Sequence, residues 1–124
     1  MLSGDFFNIL NLVRDEGSIR ADIQLNPSHA VYSGHFPGMP VVPGVCQIQI
    51  MKEVLCGSDG DSSLLAEAKV CKFINMMDPY NVSDLVCELN TVELSEGEFS
   101  FSGTLFDANR IYLKIKGIMR NSHG

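Results

Sequence analysis

Residues 34–44 form the segment of this 124-residue chain that is best suited to chemistry. The segment reads GHFPGMPVVPG, and its three prolines and three glycines predict a constrained loop. His35 stands in it between Gly34 and Phe36-Pro37. Histidine has an ordinary pKa near 6.5, so a neutral imidazole is available as a base near neutral pH. Stiff backbone on both sides favours a fixed position for that base, and His35 is therefore the candidate proton carrier.

The loop leads into an apolar stretch, 44–55, that contains no helix breaker. A helix that is hydrophobic on most sides should be buried. Gly44 and Val45 fall at its N-terminus, where free N–H groups and the helix dipole stabilise negative charge. Glycine at 44 also permits close approach of a substrate. These two residues are candidate donors to an oxygen that becomes negative during a reaction.

The stretch HFPGMPVVPGVCQIQ, residues 35–49, resembles the active-site motif of the β-hydroxyacyl-acyl-carrier-protein dehydratases of bacterial type II fatty-acid synthesis. Eight residues match that motif in identity and spacing: His35, Phe36, Pro37, Gly38, Pro40, Pro43, Gly44 and Val45. Weaker similarity extends over residues 18–120 and includes the segment from Phe73 to Asp84. Only the similarity within residues 34–45 is specific to that family.

This resemblance implies an α+β hotdog fold, an antiparallel sheet wrapped around one central buried helix, and residues 1–124 are expected to form a single such domain. It implies a dimer with active sites at the subunit interface. It also implies catalytic positions at His35 and Gln49, with substrate-binding positions at Phe36, Gly38, Gly44 and Val45. The implied substrate is a 3-hydroxyacyl thioester of acyl carrier protein or coenzyme A. No cofactor and no metal are expected.

The sequence departs from the family pattern at Gln49, 14 residues after His35, where the family has an acid. A carboxylic acid delivers a proton to a leaving hydroxyl, whereas an amide can only hydrogen-bond that hydroxyl and orient it. Loss of a general acid typically costs about 10²–10⁴-fold in rate. Glu53, one turn further on the same helical face, is expected to be a surface residue rather than a substitute. Gln47 points to another side of the helix.

The remaining pattern predicts one more helix and five strands. Phe6, Phe7, Leu10 and Val13 recur at helical spacing and predict a short helix over residues 4–14, ended by Gly17. Strict alternation predicts a strand over 19–25. Further strands are predicted at 64–74, 85–94, 98–107 and 110–119, with tight connections at Glu96-Gly97 and at residues 107–109.

Composition excludes several classes of protein. Apolar residues make up 45% of the chain and charged residues 19%, which is ordinary globular composition. The net charge of −6 argues against a nucleic-acid binder. No apolar run approaches the roughly 20 residues that cross a bilayer, and the N-terminus lacks the basic region of a signal peptide, so a cytoplasmic protein is expected. Cys46, Cys56, Cys71 and Cys87 lack CxxC spacing and are expected to be reduced and buried.

Three functions remain open from the sequence. The first is a dehydratase in which Gln49 polarises the substrate hydroxyl. The second is a related hotdog activity, thioester hydrolysis or double-bond isomerisation, that needs no carboxylate at position 49. The third is a non-catalytic protein that binds acyl chains or pairs with an active dehydratase. An acidic carrier protein would need a basic patch on this acidic chain, for which the candidates are Lys69, Lys72, Lys114, Lys116 and Arg120.

Overall fold

The computed structural model describes residues 4–29, 41–56, 64–82 and 84–121. The described elements are β1 (Phe7–Asp15), β2 (Ser18–Leu25), α1 (Gly44–Cys56), β3 (Leu64–Phe73), β4 (Leu85–Ser95), β5 (Glu98–Phe106) and β6 (Ile111–Asn121). The predicted helix at 44–55 and the strands from β2 to β6 are confirmed to within two residues at each end. His35, Phe36 and Gly38 lie outside the described residues.

The six strands form one antiparallel sheet in the order β1-β2-β4-β5-β6-β3. One helix, α1, packs against this sheet, which confirms the predicted α+β hotdog fold. The inward residues of β2 (Ile19, Ala21 and Ile23) are all buried, as their alternation predicts. The helix contributes Ile50, Met51 and Val54 to the same core. The core therefore lies between α1 and the inner face of the sheet.

The predicted helix over residues 4–14 is wrong, because this segment is strand β1. The pairing with β2 shifts just after Ile9, so that Leu10 is an extra residue in the strand. A bulge of this kind interrupts the period of two, and the inward side chains of Phe7, Ile9 and Leu12 fall at mixed spacings. Leu10, a buried position in the helical pattern, is 62% exposed. The bulge therefore gave the apolar residues of this strand a spacing typical of a helix.

Gly17 ends no helix but closes the hairpin between β1 and β2. Its φ of +74° lies in the left-handed region that glycine adopts without strain. Asp15 and Ser18 pair directly on either side of the turn. The carbonyl of Gly17 also accepts the N–H of Thr91 at 2.9 Å, which joins the hairpin to β4.

Strand β3 differs from every other strand in its exposure. It lies at one end of the sheet, and all of its described side chains, residues 67–73, are exposed. Cys71 pairs with Ile115 of β6, whose side chain is buried, so Cys71 lies on the inner face of β3 and is exposed there. Val70 and Phe73 are 45% and 52% exposed. An edge strand with apolar side chains and open backbone groups is a template for pairing with another chain.

Within the described part of the chain, no helix is long and apolar enough to cross a membrane.

Candidate functional site

Helix α1 begins at the end of the motif. The carbonyl of Pro43 accepts the N–H groups of Cys46 and Gln47 at 3.0 and 3.1 Å. Pro43 is therefore the N-cap, and the N–H groups of Gly44 and Val45 precede the first hydrogen bond of the helix. Val45 is 75% exposed. The two predicted donors thus stand at an accessible helix N-terminus.

Two hydrogen bonds fix the residues that lead into the helix. The N–H of Val42 donates to the carbonyl of Met77 at 2.8 Å, and the carbonyl of Val42 accepts from Nε2 of Gln47 at 3.2 Å. Val42 and Gln47 are both almost fully buried. With both backbone groups of Val42 bonded inside the core, the C-terminal end of the motif loop has a fixed position. Sequence reasoning weighed Gln47 only as a substitute for Gln49 and missed this anchoring role.

The space beside Gly44 is occupied by an aromatic ring of the edge strand. A Cβ atom built at Gly44 would lie 2.8 Å from Cζ of Phe73. The absence of a side chain at 44 therefore lets the ring of Phe73 pack against the start of α1.

Gln49 is half-buried and touches the residue one turn further along α1. Its Nε2 donates to Oε2 of Glu53 at 3.1 Å. Glu53 is only 5% exposed, so the expectation of a surface residue is wrong. The four-residue spacing that placed both side chains on one helical face was the signal that they meet. Burial could not be read from that spacing, because the exposed positions of a nearly all-apolar helix depend on the sheet that covers it.

Val45, Gln49 and Glu53 form one line along α1 at four-residue intervals. Their exposure falls along the line, from 75% at Val45, through half-buried Gln49, to 5% at Glu53. The line leads from the accessible helix N-terminus to a buried carboxylate. It places the N–H group of Val45, the amide of Gln49 and the carboxylate of Glu53 in one row along the helix.

The described cysteines provide no activated nucleophile. Burial raises the pKa of the half-buried Cys46 thiol, despite its position in the first turn of α1. Burial also raises the pKa of Cys87 to about 12, and its Sγ donates to Sδ of Met51 at 3.2 Å. Cys71 is exposed, which contradicts its predicted burial. Among the described residues, no three His, Cys, Asp or Glu side chains are placed to hold a metal ion.

A polar cluster that sequence reasoning did not identify lies at the turn between β5 and β6. Oδ1 of the buried Asp107 accepts the N–H groups of Asn109 and Arg110, each at 2.9 Å. Its Oδ2 accepts the hydroxyl of Tyr112 at 2.6 Å. Burial, and then the hydrogen bond to Asp107, raise the pKa of Tyr112 to about 12. The cluster holds a tight turn, which is a structural role.

A family model for the ApeI dehydratase, described as ApeI-like, matches residues 11–111 of this chain. That match covers most of the sequence. The chain belongs to the ApeI-like dehydratase family. No curated protein matches the sequence at a significant level.

Solved structures agree with the ApeI-like assignment at the level of the fold. The dehydratase heterocomplex ApeI:P from Xenorhabdus doucetiae aligns with 17% identity and a TM-score of 0.63, over 91% of this chain and 96% of that one. The E. coli PaaI protein from the phenylacetic acid degradation operon aligns with 10% identity and a TM-score of 0.61, over 90% and 78% of the two chains. A putative thioesterase from a Silicibacter species aligns with 14% identity and a TM-score of 0.59, over 94% and 78%. At such identities, structural likeness shows the fold alone.

Proposed function

We propose that this ApeI-like protein is a dehydratase that converts 3-hydroxyacyl thioesters to trans-2-enoyl thioesters in fatty-acid or polyketide-type synthesis. The observation that carries the proposal is the family match over residues 11–111. The geometry at the start of α1 supports it. The HFPG loop that contains His35 leads into a helix whose free N–H groups, at Gly44 and Val45, lie on the same helix as Gln49.

In the proposed reaction, His35 is the base. Its imidazole removes a proton from the carbon next to the thioester carbonyl, and the electron pair moves onto the carbonyl oxygen. The N–H groups of Gly44 and Val45 stabilise that negative oxygen. When the electron pair returns to form the double bond, the imidazolium of His35 gives its proton to the departing hydroxyl. The products are the enoyl thioester and water, and no proton is gained or lost overall.

Gln49 has a binding role in this scheme. The amide cannot supply the proton that the family's acid would supply, but it can hold the 3-hydroxyl group in one orientation. With a single group moving both protons, we expect slow turnover compared with an enzyme that has an acid at this position.

The exposure of β3 supports a dimer. A partner that pairs with this edge strand would cover Cys71 on its inner face and provide a second wall for the site. We propose a twofold dimer in which the His35 loop of one subunit lies near α1 of the other. The partner is a second copy of this chain or a related hotdog protein.

The proposed carrier is an acyl carrier protein, and the structure divides the candidate lysines into two groups. Lys69 lies 2.9 Å from Oε1 of Glu67, and Arg120 lies 2.8 Å from Oε2 of Glu98, so both charges are already paired. Lys72, Lys114 and Lys116 have no ion pair among the described residues.

These three lysines line a shallow depression on the outer face of the sheet, together with Ser102 and Thr104. Lys72 pairs directly with Lys114 across β3 and β6. Like charges in that position repel each other, and an acidic partner would relieve the repulsion. This charge complementarity fits an acidic carrier protein.

A second candidate function is that of a partner subunit without catalysis of its own. Two observations favour it: the amide at Gln49, where the β-hydroxyacyl-acyl-carrier-protein dehydratase motif has an acid, and the exposed strand β3. The related Xenorhabdus doucetiae structure is itself a dehydratase heterocomplex. In such a complex the second subunit would supply the missing acid.

Turnover of defined thioesters tests the proposed function. The purified protein is mixed with 3-hydroxyacyl and trans-2-enoyl thioesters of pantetheine and of an acyl carrier protein, and interconversion is followed by mass spectrometry. We expect slow hydration and dehydration, abolished in His35→Ala. Binding of these thioesters without turnover would exclude the dehydratase and favour the partner subunit. Release of free thiol would favour a thioesterase instead.

A further inference from the structure

The position of Glu53 on α1 is unfavourable on two counts. Its carboxylate is 5% exposed, and burial of a charged group is costly unless hydrogen bonds compensate. It also lies in the last turn of the helix, where the helix dipole disfavours negative charge. The guanidinium of Arg14 reaches this turn and donates to the carbonyl of Val54 at 3.3 Å. A carboxylate in such a place needs hydrogen-bond donors around it.

Gln49 is one of those donors. A carboxylate only accepts hydrogen bonds, so the end of the Gln49 amide that faces Glu53 must be the nitrogen. The observed bond from Nε2 to Oε2, 3.1 Å long, meets this requirement. Because the amide is planar, its other end, the oxygen Oε1, points away from the carboxylate. Glu53 therefore decides which end of the Gln49 side chain is presented to a bound molecule.

We propose that Glu53 is a positioning residue that makes Gln49 a hydrogen-bond acceptor, so that the site selects acyl groups with a hydrogen-bond donor at the third carbon. A 3-hydroxyl donates to Oε1 of Gln49. A 3-oxo group can only accept hydrogen bonds, so it forms none with Oε1 of Gln49, and the two oxygens repel each other. The proposal rests on the proposed function only for the place where the acyl group binds. It adds that the site recognises a hydrogen-bond donor at the third carbon of the acyl group.

Gln47 shows that an amide on the same helix can serve the fold alone. Its Nε2 donates to the carbonyl of Val42, and its Oε1, buried against the core, has no hydrogen-bond partner among the described residues. Gln49 differs because it is half-buried and sits between exposed Val45 and buried Glu53. Because Glu53 accepts from Nε2 of Gln49, Oε1 is the end of the Gln49 amide that faces away from the buried carboxylate.

The test is ligand selectivity measured without turnover. The probes are three acyl-pantetheine amides with a 3-hydroxyl, a 3-oxo group or no oxygen at the third carbon. Nitrogen in place of the thioester sulfur makes the α-proton less acidic, so none of them is dehydrated. We expect the wild type to bind the 3-hydroxyl probe about 10-fold more tightly than the 3-oxo probe, which corresponds to about one hydrogen bond. In Glu53→Gln, where the amide of Gln49 is free to turn over, the ratio should fall to about 2-fold or less.

Lys52→Gln is the matched control, because Lys52 is an exposed neighbour on the same helix and its variant should keep the wild-type ratio. Gln49→Ala alone should remove the preference, and Glu53→Gln should change nothing further in that background. If Glu53→Gln lowers the ratio equally in the Gln49→Ala background, Glu53 does not act through Gln49 and the proposal is wrong. If Glu53→Gln fails to fold, as thermal unfolding would reveal, Gln49→Ala still decides whether position 49 reads the third carbon.

The two proposals fail in different ways. Selective binding of the 3-hydroxyl probe by a protein that dehydrates no thioester would support the proposed role of Glu53 and contradict the proposed dehydratase function. Turnover of 3-hydroxyacyl thioesters, without any difference in affinity between the 3-hydroxyl and 3-oxo probes, would support the dehydratase function and contradict the role of Glu53. A wild type that binds none of the three probes overturns both.

Discussion

The ring of Phe73, at the end of β3, packs against the Cα side of Gly44, at the start of α1. A Cβ atom at Gly44 would lie 2.8, 3.1 and 3.3 Å from three carbons of that ring. The contact joins the edge strand to the helix terminus that holds the candidate oxyanion donors. Phe73 is 52% exposed, so its ring can move aside without disturbing the core.

Gly44→Ala should therefore affect activity more than stability. The displaced ring is a flexible, half-exposed side chain, and alanine is a better helix residue than glycine, so the free energy of unfolding should change by less than about 1 kcal/mol. Turnover should fall because the ring moves across the approach to the N–H groups of Gly44 and Val45. Phe73→Ala in the same chain should restore part of the rate.

Gly103→Ala provides the contrast. A Cβ at Gly103 would lie 2.7 Å from Cδ2 of Leu89 and 2.9 Å from Cε of Met51, and both of these side chains are buried in the core. Overpacking of this kind typically costs about 1–3 kcal/mol. Chemical denaturation of both variants would check the pair of predictions. Equal losses of stability at Gly44 and Gly103 would contradict the idea that the Phe73 ring yields.

The hydroxyl of Tyr112 should link stability to alkaline pH. The pKa of Tyr112 is raised to about 12 in the folded chain, chiefly by burial, whereas an unfolded tyrosine ionises near 10. The folded state thus favours the neutral phenol. This contribution is fully present below about pH 10 and is lost as the pH rises towards 12.

Tyr112→Phe tests that linkage. The variant leaves Oδ2 of Asp107 without the hydroxyl donor, which should lower the free energy of unfolding at neutral pH by about 1–3 kcal/mol. The difference between wild type and variant should then shrink between pH 10 and pH 12. Denaturation curves measured at several pH values would show it. A difference that stays constant over this range would exclude Tyr112 as the group responsible.

A charge on the inner face of β3 should prevent assembly. Cys71 is exposed opposite the buried Ile115, at the place where the proposed partner would pack. Cys71→Asp would bury an unpaired carboxylate in that interface, so we expect a dimeric wild type and a monomeric variant in sedimentation. Thr104→Asp, on the outer face of the sheet, is the control and should remain dimeric. A wild type that sediments as a stable monomer at micromolar concentration would count against the dimer.

How far the sequence predicts this structure depends on how regular each pattern is. Strict alternation in β2 and β5 located those strands, because every second side chain packs on the same core. In β1 the extra residue Leu10 breaks that alternation, and a bulge is set by pairing with a strand that local sequence does not reveal. The site shows the same limit. The spacing of Gln49 and Glu53 predicted a shared face, but burial of Glu53 depends on which side of α1 the sheet covers.

Charge reversal on the outer face of the sheet should weaken carrier binding. Lys114→Glu with Lys116→Glu removes two positive charges that have no ion pair in the described chain, and we expect the affinity for acyl carrier protein at low salt to fall by about 10-fold or more. Lys69→Glu is the control, because Lys69 is already paired with Glu67. The loss should disappear near 1 M salt, where charges are screened within about 3 Å. Equal effects of both changes would exclude this patch as the specific dock.

Gln49→Glu should convert the site from one proton carrier to two. The new carboxyl group would stand where Gln49 now contacts Glu53, and two carboxyl groups at that distance share a proton, because both cannot ionise without strong repulsion. A shared proton beside the 3-hydroxyl group is a general acid. Dehydration of 3-hydroxyacyl thioesters should then rise by about 10²-fold or more.

Glu53→Gln in the Gln49→Glu background should give a smaller gain, since an amide neighbour stabilises the ionised carboxylate at 49 and holds no proton to share. His35→Ala should abolish turnover in every background, because the base is then missing. Steady-state kinetics are measured for the wild type, Gln49→Glu, the double variant and His35→Ala. Binding of the 3-hydroxyl probe is measured in each protein, so that a change in the rate of the chemical step is distinguished from a change in affinity. No rate gain in Gln49→Glu, in a protein that folds and binds normally, would show that the missing acid is not what limits this site.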